Sequence, residues 1–165
     1  MTTIRSMRLY ALSIPFNVSF QHTTKDRDTG ASVVVRLESD RGVVGYGEGA
    51  PRSYVTGESV DTCFEHLSTV LWPLLQDSEL PSGSDPDLLA RIDALLPDGD
   101  VTGDVVAHHS ARCAMELALL DLLTREAGVS LAAALPPALD EVQYSGVVSG
   151  GTMEKSLAHT KFMCT

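Results

Sequence analysis

A row of small side chains constrains this chain more than any other feature. Ala107, Ala111, Ala114 and Ala118 recur at spacings of 4, 3 and 4, the repeat that returns to one face of an α-helix. So shallow a face lets another element come close to the helix backbone. Met115, Leu119, Leu122 and Leu123 add bulk beside the row. The pattern predicts a buried helix over residues 105–127, stopped by Gly128. Asp121 and Arg125, four apart, are placed to pair on its surface.

Two further helices precede it. Over residues 59–76 the apolar positions Val60, Cys63, Phe64, Leu67, Val70, Leu71, Leu74 and Leu75 keep one face. Pro73 is expected to bend or end that helix. Asp85-Pro86 reads as a helix start, followed by the stripe Leu88, Leu89, Ile92, Leu95 and Leu96 and the stop Pro97. A short helix over 131–135 follows Ser130 and ends at Pro136-Pro137.

The first third has a different period. Residues 4–14 and 31–39 are rich in β-branched and apolar side chains and read as strands, the first ended by Pro15. Asp40-Arg41-Gly42 is a turn signal, so 31–39 and 43–48 form a hairpin. Residues 15–30 read as a long connection of the kind that carries function. Gly45, Gly47 and Gly49 are not a GxGxxG nucleotide loop. They thin the third strand so that another backbone or a ligand can approach. Past residue 140, 142–149 reads as a strand, Gly150-Gly151 as a turn, and Thr152 as the cap of a helix reaching Met163. The fold class is α+β: a three-stranded antiparallel sheet followed by a helical bundle, with one strand-helix unit after it.

Charge and composition exclude several functions. The formal charge is −10, with residues 1–52 at +2 and 53–165 at −12. An acidic body argues against a nucleic-acid partner, which needs a basic face. No apolar run approaches the roughly 20 residues of a membrane-spanning helix, and the first ten residues do not read as a secretory signal. Cys63, Cys113 and Cys164 form no CxxC pair, which suggests a reducing compartment. Cys63 and Cys113 read as small core residues. His108 and His109 are adjacent on the helix and point about 100° apart, a poor metal pair. There is no GxSxG, no HExxH and no pair of acids placed for acid–base work. The residues alone carry no complete catalytic constellation and no metal ligand set.

The order and spacing of four stretches resemble one family. They are Ile14-Pro15-Phe16 and the residues to His22; Gly42-Val43-Val44-Gly45-Tyr46-Gly47-Glu48 with Pro51-Arg52 and Tyr54-Val55-Thr56-Gly57-Glu58; 111–123 with Ala114, Glu116, Ala118, Leu119, Asp121 and Leu122, followed by Gly128 and Leu131; and Tyr144-Ser145-Gly146-Val147-Val148. Together they are similar to the N-terminal half of muconate-lactonizing and mandelate-racemase-type enzymes of the enolase superfamily. The resemblance implies a capping domain over 1–138 and, over 139–165, the first strand-helix unit of a (β/α) barrel, truncated here because a whole barrel needs about 250 residues.

It also implies an activity: Mg²⁺-dependent abstraction of a proton α to a carboxylate, as in cycloisomerases, dipeptide epimerases, and acid-sugar dehydratases or racemases. In such enzymes the bases are lysines on the second and sixth barrel strands, and Asp and Glu of the third to fifth hold Mg²⁺. No catalytic residue or metal ligand carries over to this sequence, and no Mg²⁺ is expected on the chain by itself, which is expected to be inactive alone. The cap loops carry over, at 16–24 and 50–56. Phe16, Phe20 and Tyr54 would wall the substrate, His22 and Arg52 would meet its carboxylate or other polar end, and Thr56 lies on the same segment. The implied partner is a small carboxylate, with no nucleic acid and no membrane. A cytoplasmic location and a homo-oligomer are consistent with the family. The alternative is a stand-alone, non-catalytic binding module derived from the cap.

Overall fold

The computed structural model describes residues 2–22, 25–76, 78–97, 108–143 and 152–163; side chains are described for these except at 17–22, 25–28, 159, 162 and 163. It comprises two compact units, residues 1–13 with 31–136, and residues 14–30 with 137–165.

The first unit is organised by the long helix. This helix, α4, runs His109–Ala127 and lies on a sheet of three strands in the order β1 (Ile4–His22), β2 (Lys25–Ser39), β3 (Val44–Gly49). β2 and β3 pair antiparallel, from Val33 opposite Gly49 to Glu38 opposite Val44, through the turn at Gly42, whose φ is 80°. The alanine row and the glycine alternation predicted separately from sequence meet here. A Cβ at Gly45 would stand 2.4 Å from the Leu122 nitrogen, at Gly47 2.0 Å from the Ala114 oxygen, and at Gly49 2.0 Å from the Ser110 oxygen.

The match is metric. Two strand residues advance about 6.6 Å and four helix residues about 6.0 Å, so alternate glycines keep step with every fourth helix residue. Val33, Val35 and Leu37 fill the same face beside them, and Ala111, Ala114 and Ala118 are fully buried. Asp121 closes the outer edge of β3: its Oδ2 accepts the Tyr46 amide at 2.9 Å while Oδ1 accepts the Arg125 Nε at 2.7 Å. The predicted Asp121–Arg125 pair thus also satisfies a free strand edge.

The helix predicted over 59–76 is continuous but not uniform. It consists of α1 (Val60–His66), a π-helical segment (Leu67–Leu71) and α2 (Trp72–Gln76). Its buried positions Cys63, Leu67, Leu71 and Leu75 are spaced by four. In a pure α-helix each such step overshoots the turn by about 40°, and the wider π turn keeps the four in line. It also brings the helix through Pro73 without ending it, with the Trp72 amide bonded five residues back to the Leu67 carbonyl. Val70 and Leu74 fall outside the stripe and are exposed.

The next helix, α3 (Leu88–Leu95), begins two residues later than Asp85-Pro86 suggests. Asp85 still accepts a free amide, that of Asp87 at 2.9 Å, and pairs with Arg91 at 2.8 Å. Leu88, Ile92 and Leu96 are buried and Leu89 is exposed. Ser130 caps α5 (Leu131–Ala134) through the Ala133 amide, and Gly128 ends α4 in the left-handed region at φ 67°.

Three expectations are corrected. The connection over 15–30 is not a loop: β1 continues to His22 and β2 starts at Lys25. β1 lies at the sheet edge, where a proline such as Pro15 is tolerated within a strand. Cys113 is exposed rather than in the core, because it sits about 100° around α4 from Ala114. α4 starts at His109, later than residue 105; positions 105–107, with Ala107, lie outside the described residues.

In the second unit, α6 (Met153–Met163) follows Thr152, whose hydroxyl accepts the Lys155 amide at 3.4 Å. Val142 and Gln143 are not in a strand, and the rest of the predicted strand, with Tyr144, Val147, Val148 and the Gly150-Gly151 turn, lies outside the described residues, as does Cys164.

Candidate functional site

Three of the six predicted site residues share one turn. Arg52 begins it: its carbonyl accepts the Val55 amide at 2.9 Å and the Thr56 amide at 2.8 Å. Its guanidinium folds back, Nη1 donating to the Ala31 carbonyl at 2.7 Å and to the Pro51 carbonyl at 2.8 Å. Gly57, at φ 75°, reverses the chain. The turn therefore holds its shape from within while Tyr54 and Val55 stand exposed, at 44% and 69% of their surface. Phe16, on the strand arm of the second unit, is 41% exposed, with the position of a Gly30 Cβ at 3.4 Å from its ring. The side chains of Phe20 and His22, and residue Thr24, lie outside the described residues.

Immediately after the turn comes a group the sequence reading missed. Glu58 is 1% exposed. Its Oε1 accepts the Ser110 amide at 2.7 Å and its Oε2 the Ser110 hydroxyl at 2.8 Å. Ser110 is the second residue of α4, whose cap position, His108, offers no side-chain bond. Glu58 thus supplies from a distance the carboxylate that a helix start attracts. Burial pushes its carboxyl up, but the bonds from Thr56 and Ser110 and the field of His109 outweigh that and hold it below the ordinary 4.5. The thiol of Cys63, 3.9 Å from Oε1, is pushed up to about 11 by burial and by this carboxylate. Ser59 then starts α1 with a reciprocal capping box on Thr62. Glu58 ends the Tyr54–Glu58 stretch that carries the resemblance and precedes that box, but neither signal shows its role, because its partner is 52 residues away.

His108 and His109 do not form a metal pair. His108 instead stacks on His66, ring centroids 4.1 Å apart and planes 5° from parallel. Among the described residues no three His, Cys, Asp or Glu side chains gather where they can hold a metal ion. The described residues therefore do not fit Mg²⁺. Among the same residues no helix is long and apolar enough to cross a membrane.

Comparison with known proteins agrees with this architecture. The family model described as mandelate racemase / muconate lactonizing enzyme, N-terminal domain, matches residues 1–135. The L-Ala-D/L-Glu epimerase of Bacillus subtilis is 29% identical over 147 residues, 89% of this chain and 37% of the epimerase. The N-succinyl-L-Arg/Lys racemase of Bacillus cereus is 28% identical over 123 residues, 74% of this chain and 30% of the racemase. A substrate-liganded structure of the Bacillus subtilis epimerase superposes with a TM-score of 0.75 at 26% identity, covering 98% of this chain and 42% of that one. A dipeptide epimerase from Methylococcus capsulatus, complexed with Mg and the dipeptide L-Arg-D-Lys, shares the fold with a TM-score of 0.73 at 21% identity, covering 98% and 43%. The chain thus spans less than half the length of these relatives. With the family model covering most of its residues, this chain belongs to the mandelate racemase / muconate lactonizing enzyme N-terminal domain family of the enolase superfamily.

Proposed function

We propose that this chain is the capping domain, over 1–138, and the beginning of the barrel, over 139–165, of an isomerase that removes and returns a proton α to a carboxylate. Dipeptides and N-acylated amino acids are the favoured substrate class, because the relatives include an L-Ala-D/L-Glu epimerase and an N-succinyl-L-Arg/Lys racemase. Mg²⁺ and the proton-transferring lysines belong, on this reading, to barrel residues beyond those matched, and the 165 residues alone do not turn substrate over.

The observation that carries the reading is the Arg52–Thr56 turn. An apolar pair, Tyr54 and Val55, is held outward on a backbone fastened at Arg52 and again at Glu58. Such a turn loses little freedom on meeting a ligand, which is what a selective lid requires. Tyr54 and Thr56 contact the substrate side chain in this account. The remaining donors of Arg52 meet its polar end. Phe16, Phe20 and His22 are the candidate substrate-binding residues of the other cap segment. The test is a substrate panel with the chain continued into its barrel: Tyr54→Ala raises KM for the preferred dipeptide and flattens the ranking of the panel. An unchanged ranking refutes the role of the turn.

A further inference from the structure

The first turn of α4 does not hold itself. His108, at its cap position, has a left-handed backbone with φ 50°, an uncommon conformation for a residue other than glycine. It makes no side-chain bond to the helix start. Among the described residues its buried Nδ1 has no hydrogen-bond partner, so no hydrogen bond at that nitrogen orients the ring. What orients it is the parallel face of His66, 4.1 Å away on α1. Two residues on, Ser110 carries both bonds to Glu58.

We propose that the His66–His108 stack is a pH-sensitive latch on the start of α4, closed while His66 is neutral and released when His66 takes a proton. A proton on His66 places a charge on a half-buried ring pressed flat against a second imidazole, and the ring gains water only by leaving the stack. His108 then loses the surface that holds its left-handed backbone, and the Ser110 amide opens. Glu58 follows the Arg52–Thr56 turn directly through Gly57, so the release reaches that turn along the chain.

The charges around the latch agree with this. Burial and then His108 push His66 below the ordinary 6.5, against a smaller pull upward from Glu58. Glu58 is itself flanked by the Cys63 thiol and by His109. Because Glu58 stays ionised until well below the histidine range, opening between about pH 7.5 and 5.5 reports imidazole protonation, and His66→Phe separates His66 from His108 and His109.

Hydrogen exchange of the Ser110 and Thr56 amides in the whole 165-residue chain tests the latch, with rates corrected for intrinsic pH dependence. In the native chain, protection at Ser110 falls about tenfold between those pH values, with a smaller fall at Thr56. In His66→Phe, which stacks but cannot protonate, protection stays level. Level protection in the native chain, or the same fall in His66→Phe, overturns the proposal. Should the variant not fold, the native His66 ring titration by NMR decides: a midpoint below 6.5 supports the latch, and one at or above it refutes it. Neither reading uses turnover, so the latch and the proposed activity fail independently.

Discussion

The Glu58 carboxylate accepts both the amide and the hydroxyl of Ser110, at 2.7 and 2.8 Å, and so ties the end of the Arg52–Thr56 turn to the beginning of α4. Hydrogen bonds to a buried ion contribute about 1.5–3 kcal/mol each. Glu58→Gln keeps the shape but loses the charge, and is expected to lower stability by about 2–3 kcal/mol at pH 7, read by urea unfolding. The pH dependence has a definite sign. The folded-state value lies below 4.5, so the contribution is complete above that value and is lost as pH falls through the depressed one. The gap between native and variant chains therefore closes in acid. A gap that stays constant down to pH 3 contradicts this account.

Gly47 tests the contact on which the fold is built. A methyl group there meets the Ala114 oxygen at 2.0 Å and the Ala118 nitrogen at 2.4 Å, both backbone atoms. Gly47→Ala is expected to cost more than the roughly 1–3 kcal/mol typical of an overpacked core and to prevent cooperative folding, seen as loss of the thermal transition. Glu48→Ala, on the opposite face of the same strand, is the control and should shift Tm by little. Comparable stability for the two variants would rule out the close contact.

Much of this packing was legible in the sequence, but only in halves. The alanine row and the alternating glycines each announce that something comes close, yet nothing local says that they approach each other. That depends on the match between strand rise and helix rise across some 70 residues of chain. The strand arms over 15–30 were hidden for a different reason. Lys25, Asp26, Arg27 and Asp28 interrupt the apolar period, and Pro15 reads as a stop unless the strand is known to be an edge. The π segment left no sequence mark beyond a strict spacing of four. Of the site, the turn was visible through its resemblance. The bonding role of Glu58 and the histidine stack were not, because each is defined by a partner supplied by tertiary structure.

The cysteines should differ in reactivity. Cys63 is buried, with its thiol pushed up to about 11, whereas Cys113 is exposed and only raised, by partial burial and then by Glu116. At pH 8, iodoacetamide is expected to modify Cys113 at least tenfold faster than Cys63, measured by peptide mass mapping. Equal rates would mean that the Glu58–Cys63 pocket is open to solvent.

Arg52 holds its turn through carbonyl oxygens. Arg52→Met keeps the length of the side chain but removes the donors to Ala31 and Pro51. The expected cost is about 1–2 kcal/mol, with faster exchange of the Val55 and Thr56 amides and little change within α4. Unaltered exchange at those two amides would show that the guanidinium does not shape the turn.

Exchange of the substrate α-proton with solvent deuterium, followed by NMR over a panel of dipeptides and N-succinyl amino acids with Mg²⁺ present, bears most directly on the account. It should be measured on the 165 residues alone and on the same residues continued into a barrel. The account predicts exchange only from the longer chain, with selectivity that changes when Tyr54 is replaced. Exchange catalysed by the 165 residues unaided, or none from the longer chain on any member of the panel, would contradict it.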